Sequence, residues 1–249
     1  GVHYIGGLSK GQNLYQIFKY LGILDSLHLQ KLEEDVFDKI LIENDDNEYV
    51  YAQGYENFIA KLLVFFPDEE IALRRYCDKI REICSKFPLY NLQSGDESNA
   101  KAGVLEIDTR SFIESVTSNN KLREVLAGNN ALYAGEPGKT PLYVHALILN
   151  SYIESSWKCV DGGSQIARYL AKTIRDHQGV VLRNSQVKKI IAEDGKISCV
   201  ELADGNKWYA QHFISNIHPV KTLELTESEL IKKAFRNRLK SLANSISSF

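Results

Sequence analysis

Trp157 to Pro219 reads WKCVDGGSQIARYLAKTIRDHQGVVLRNSQVKKIIAEDGKISCVELADGNKWYAQHFISNIHP, a diglycine, one amphipathic helix and a series of short β-prone runs in fixed order. Ser164 follows Gly162 and Gly163 and can cap a helix whose apolar residues Ile166, Leu170 and Ile174 recur every four positions, the period of one buried face. Gly179 predicts its end. Val180 to Leu182, Val187 to Ala192, Ile197 to Leu202 and Lys207 to Tyr209 then predict strands. Between them lie Asp194-Gly195 and Asp204-Gly205, dipeptides that suit tight hairpin turns. Phe213 to Asn216 predicts one more strand, which the step to His218-Pro219 must leave because proline has no N–H to give to a ladder. The whole reads as a helix followed by an antiparallel meander.

Upstream, Val2 to Ile5 predicts a strand and Leu14 to Gly22 a helix. Phe37 to Glu43 and Glu48 to Ala52 predict a hairpin around Asn44-Asp45-Asp46-Asn47, expected to extend the sheet begun by the first strand. Gly54 to Phe66 and Pro67 to Phe87 predict helices, the second with Pro67 and three acidic residues at its start and Pro88 past its end. Its stripe of Leu73, Tyr76, Cys77, Ile80, Ile83, Cys84 and Phe87 is the pattern of a core-facing helix, with the wall of a lipophilic channel as the other reading. Gln93 to Ala102, rich in Ser, Gly, Asn and charge, predicts a loop. Thr109 to Val116, with Asp108 as cap, and Asn120 to Ala127 predict short helices. Gly135-Glu136-Pro137-Gly138-Lys139-Thr140 ends like a phosphate-binding loop, but Tyr133 stands where that motif needs its first glycine. Thr140 reads instead as a cap and Pro141 as the first residue of a helix through Asn150. His145 in that helix, flanked by Val144, Ala146 and Leu147, reads as a satisfied core histidine ahead of a pocket residue.

The diglycine, the helix, a strand with Val187-x-x-Ile190, an acidic-Gly turn, a second strand, a further Asp-Gly turn and a segment ending in Ser215-Asn216 resemble the flavin-dependent phytoene desaturase, carotenoid isomerase and retinol saturase family, within the amine-oxidase-like flavoproteins. The opening Gly1-Val2-His3-Tyr4-Ile5-Gly6-Gly7 is similar to the segment with which such proteins enter their substrate domain. The resemblance implies FAD as cofactor, a lipophilic small-molecule substrate, and oxidoreductase chemistry at carbon–carbon double bonds. It places Val187 beside the adenine end of FAD through its backbone, and it makes Gly162 and Gly163 positions where the chain either passes close to the cofactor domain or merely starts a helix. It puts His3 and Tyr4 near the flavin ring, with Tyr152 and Trp157 as further candidates for a pocket wall. No catalytic residue is assigned, since flavin chemistry needs no obligatory acid–base pair from the protein. The G-x-G-x-x-G turn that holds the FAD pyrophosphate does not occur in this sequence. The chain also contains no methionine, so an internal piece of a longer flavoprotein is expected.

At 249 residues and 44% hydrophobic the chain can bury a sizeable core. A formal net charge of -2 offers no global field for nucleic acid. The basic run Lys232, Lys233, Arg236, Arg238, Lys240 reads as the solvated face of a helix that buries Leu230, Ile231, Ala234, Phe235 and Leu242. Cys77 and Cys84 lie seven apart, about 10 Å along a helix, too far for a disulfide. The isolated Cys159 and Cys199 complete four thiols suited to a reducing compartment, and neither they nor the six histidines show metal-ligand spacing.

The expected architecture is therefore a mixed α and β chain: a substrate-binding domain over 1–155, part of a FAD-binding domain over 156–220, and a terminal helix over 221–249 that returns to the substrate domain. The expected location is cytoplasmic, with peripheral membrane contact possible for an enzyme of lipophilic substrates. A flavin-free recognition or interaction domain, and an amine oxidase, stand as the alternatives. Substrate identity, direction of reaction and oligomeric state are not legible.

Overall fold

A computed structural model describes residues 4–94, 103–228 and 231–244. The chain divides into two compact units, one up to residue 178 and one over residues 179–244.

In chain order the first unit carries β1 (Tyr4–Gly6), α1 (Asn13–Tyr20), β2 (Leu29–Lys31), β3 (Asp38–Leu41), β4 (Glu48–Tyr51), α2 (Tyr55–Leu63), α3 (Glu70–Ser85), α4 (Thr109–Val116), α5 (Asn120–Leu126), α6 (Leu142–Glu154), β5 (Ser156–Cys159) and α7 (Ser164–Asp176). A 3-10 turn, Gly128–Tyr133, joins α5 to the segment before α6. The second unit carries β6 (Val187–Glu193), β7 (Lys196–Leu202), β8 (Lys207–Tyr209), α8 (Pro219–Leu225), β9 (Thr226–Glu227) and α9 (Lys233–Lys240). The mixed α and β class expected from the sequence is the class observed.

Sheet pairing in the first unit departs from expectation. β5 lies at the centre of a three-stranded antiparallel sheet, with β1 on one side and β2 on the other. The β3–β4 hairpin forms a two-stranded sheet of its own instead of extending the sheet of β1. α6 runs directly into β5 and delivers that strand to β1, so the partner of β1 comes from the far end of α6 and not from the hairpin.

The main core is built on α3, whose predicted stripe is fully assigned to packing: Leu73, Tyr76, Cys77, Ile80 and Ile83 have no exposure and Cys84 and Phe87 are buried. This settles the stripe as core and not channel wall. α6 packs across it with Leu142, Ala146, Leu149 and Ile153. A second cluster gathers Leu8, Phe18, Ile23 and Leu27 against Trp157 and, from α7, Ile166 and Leu170. Ile174, expected on the same buried face, is half exposed because α7 outruns that cluster.

His145 is completely buried in the main core. Its Nε2 lies 2.6 Å from the Tyr76 hydroxyl and its Nδ1 2.8 Å from that of Tyr133, so both ring nitrogens are satisfied, as the sequence suggested. Burial pulls its pKa down to about 4. The imidazole is therefore neutral near pH 7, with one nitrogen a donor and the other an acceptor.

Several helix ends differ by a residue from the reading of the sequence. Asp108 caps α4 as expected, accepting from Ser111 N at 2.8 Å. Pro141, not Thr140, occupies the cap position of α6, while the Thr140 hydroxyl accepts from Glu136 N at 2.8 Å and closes the preceding loop. Gly163, not Ser164, precedes the first turn of α7, and Gln178 at φ 64 ends that stretch before Gly179 is reached.

In the second unit β8, β7 and β6 form the expected antiparallel meander, and β9 adds to β6 in parallel. Asp194 and Gly195 both take left-handed φ, 48 and 79, the requirement of a two-residue turn whose twist matches its strands. Val180–Leu182 and Phe213–Asn216 do not form strands. Both lack a ladder partner among the described residues, and Ile214 is 98% exposed. α9 forms where the basic run predicts a helix, but Phe235 and Leu242 are exposed and Ala234 with them. Its tether is polar: Arg236 donates to the carbonyls of Leu223, Thr226 and Ser228. Leu230 lies outside the described residues, as does most of the predicted loop at 93–102.

Candidate functional site

The opening segment owes its shape to two glycines. A Cβ on Gly6 would stand 2.5 Å from Ser151 Oγ and 2.6 Å from its carbonyl carbon, so no other residue fits against the end of α6. Gly7 adopts φ +70, and its N–H is shared between the carbonyls of Ser151 at 3.0 Å and Ser155 at 3.1 Å. Its own carbonyl accepts from Tyr15 N at 3.1 Å. β1, the start of α1 and the end of α6 are thereby held together.

The surface they enclose is a hollow of about 330 Å³ lined by Tyr4, Ile5, Asn13, Leu14, Ile17 and Tyr152, with Gly6 and Ser151 between. Tyr4 and Tyr152, both expected at a pocket, meet edge to face with ring centroids 4.7 Å apart, and Phe37 packs on both. The Tyr4 hydroxyl donates to Asp38 Oδ2 at 2.6 Å, and the same oxygen accepts from Asn129 Nδ2 at 3.1 Å. Burial, then the Asp38 carboxylate, hold the Tyr4 hydroxyl far above the usual phenol range, and burial with Asp38 raises Tyr152 too. Tyr4 is thus a neutral donor whose proton is committed to Asp38. What it offers the hollow is an aromatic ring fixed in place.

His3 lies outside the described residues. Trp157 sits in mid-β5, opposite Ile5 on one side and Lys31 on the other, and packs on the second cluster; it is not among the residues lining the hollow. Asp38 and Asn129 are the site residues that sequence reasoning passes over. The available signal was an aspartate inside the β-prone run Phe37 to Leu41, where acidic residues are disfavoured unless something binds them.

Of the residues implied for FAD, Gly162 and Gly163 lie in the first unit and Val187 in the second. Gly162 needs to be glycine for its φ of +98, and above both glycines a Cβ would meet open space. Val187 opens β6 opposite Leu202, immediately before a register shift that ends at Lys189. Such an irregularity re-aims the backbone groups around it. The glycine-rich cradle that holds a dinucleotide pyrophosphate has no counterpart in this sequence.

Among the described residues no group of His, Cys, Asp and Glu is placed to hold a metal ion, and no helix is long and apolar enough to cross a membrane.

No family model matches the chain. In fold it is similar to a protein from Pyrococcus furiosus, with a TM-score of 0.64 at 15% identity over 98% of this chain and 53% of that one. It is similar likewise to an oxidoreductase from Methanosarcina mazei, with a TM-score of 0.65 at 17% identity over 97% of this chain and 53% of that one. In sequence it is similar to the all-trans-retinol 13,14-reductase of Danio rerio, 27% identical over 217 residues, and to that of Homo sapiens, 26% identical over 249 residues. These matches cover 79% and 90% of this chain but 35% and 40% of the relatives, so the chain spans well under half the length of the reductases it resembles.

Proposed function

We propose that this chain is the substrate-side portion of a FAD-dependent oxidoreductase of the retinol saturase type, acting on a carbon–carbon double bond of a polyene or other lipophilic molecule. The observation that carries the reading is the similarity to all-trans-retinol 13,14-reductases along most of the chain. The hollow at Tyr4 and Tyr152 supports it, because an aromatic-walled surface whose Tyr4 hydroxyl is tied to Asp38 suits a hydrocarbon chain. FAD, when bound, supplies hydride transfer at its ring. The residues of this chain position and shield. Tyr152 and Tyr4 hold the polyene flat, the Asp38–Asn129 pair keeps the Tyr4 ring from turning, and the backbone at Val187 steadies the adenine end of the cofactor.

The test uses the product of the complete reading frame that contains this chain. Purified protein should release a flavin on denaturation, and with a reductant it should bleach the long-wavelength absorbance of all-trans-retinol as a double bond is saturated. Replacement of Tyr152 by Ala should raise KM with little change in flavin content. Protein that carries no flavin and leaves the polyene spectrum untouched would overturn the proposal in favour of a flavin-free recognition domain.

A further inference from the structure

The segment Ile231 to Asn244, which contains α9, carries five basic residues, Lys232, Lys233, Arg236, Arg238 and Lys240, and no acidic one. Its apolar residues Phe235, Leu239 and Leu242 recur at i, i+4 and i+7, which places them on one stripe. That spacing suits a buried face. In the fold Phe235 is 49% exposed and Leu242 60% exposed, with Leu239 half-buried. α9 is held to the second unit by polar contacts instead. Arg236 donates to the carbonyl of Leu223 at 2.6 Å and to those of Thr226 and Ser228 at 3.2 Å, and His218 Nε2 lies 2.9 Å from Asn244 Oδ1.

The positive charge of this segment is not cancelled. The three acceptors of Arg236 are neutral carbonyls, and Lys232, Lys233, Arg238 and Lys240 have no ion pair among the described residues. Water alone leaves the cations repelling one another and the apolar stripe wetted. An anionic lipid surface answers both: headgroups take the charges, the stripe enters the boundary between headgroups and acyl chains, and the lysine stems reach back to the headgroups. Eight helical residues measure about 12 Å, well short of the roughly 30 Å of bilayer hydrocarbon, so such a helix lies along the surface and does not cross it. A nucleic-acid backbone matches the cations but offers nothing to Leu242.

From these features we infer that α9 docks the protein on an anionic lipid surface, with Phe235 and Leu242 in the headgroup boundary and the surrounding basic side chains on lipid headgroups. The surface belongs to the second unit alone and does not rest on the flavin reading.

The test uses the product of the complete reading frame and vesicles of phosphatidylcholine with and without phosphatidylserine. Co-sedimentation should show binding to the anionic vesicles, weakened by added salt, and little to the neutral ones. Lys232→Gln combined with Lys233→Gln should weaken it about 25-fold, near fivefold per charge removed. In Phe235→Trp, which keeps every charge, the added tryptophan should shift to the blue with anionic vesicles and be quenched by brominated acyl chains. Equal binding to the two vesicle types, or undiminished binding by the lysine variant, would overturn the inference. An added tryptophan that is already blue in solution and indifferent to vesicles would overturn it too, and would assign the stripe to a protein contact. So would duplex DNA binding more tightly than anionic vesicles and losing that affinity in the lysine variant, which would make α9 a nucleic-acid surface.

Discussion

Acidification should destabilise the first unit through one residue, His145. Its pKa is near 4 in the fold, against 6.5 for a free imidazole. Between those values the unfolded chain binds a proton that the folded chain refuses, so stability falls as pH falls through that window and levels off below it. From pH 7 to pH 5 the two titrations differ by about 2 kcal/mol, taking about 1.4 kcal/mol per unit. A variant with Phe at this position, His145→Phe, titrates nowhere in the window. At neutral pH it should itself cost about 2 to 5 kcal/mol, because the hydroxyls of Tyr76 and Tyr133 lose their shared partner inside the core. The assay is urea unfolding at both pH values in wild type and variant. Trp157 lies in the first unit and Trp208 in the second, so a Trp208→Phe background lets fluorescence report the first unit alone. The decisive quantity is the difference between the two acid-induced losses, which cancels every other titrating group common to both proteins. If the variant loses as much stability on acidification as the wild type, the reasoning about His145 is refuted.

Gly6→Ala should destabilise the first unit by about 1 to 3 kcal/mol or more, since its Cβ would meet the backbone of Ser151, which has no free space to yield; thermal unfolding measures this, and Gly11→Ala, where a Cβ meets nothing but φ is +88, separates the clash from backbone strain. Cys77 and Cys84, buried and with pKa values pushed up to about 12 by that burial, should resist a thiol reagent such as dithionitrobenzoate in the native state and react at the rate of unfolding; fast labelling of either residue would contradict the core placement.

How much of this was legible depends on whether the cause is local. The Asp194-Gly195 turn, the Asp108 cap and the stripe of α3 were all readable, because each is settled by residues within one or two turns of chain. The pairing of β1 was not. A three-residue strand carries too few side chains to specify a partner, and its register against β5 is imposed by α6, which begins more than a hundred residues later. The predicted strands at 180–182 and 213–216 failed for the related reason that β-prone residues form a ladder only where another strand presents an edge.

The Tyr4 site shows the same division at finer scale. Tyr4 and Tyr152 were each readable as candidates for a pocket wall, but their contact with one another was not. Nor were the polar partners of Tyr4, because Asp38 and Asn129 come from a hairpin strand and a 3-10 turn that meet only through the packing of the main core. That arrangement has a chemical consequence. A tyrosine read from sequence beside a flavin looks like a proton donor to substrate, but the Tyr4 hydroxyl already gives its proton to a carboxylate and would have to break that charge-assisted bond, leaving Asp38 with only its amide donors. Tyr4 is therefore a wall and not an acid. Proton traffic in any reaction at this hollow has to come from a group other than Tyr4, and Tyr4→Phe should lower stability while leaving the chemical step intact.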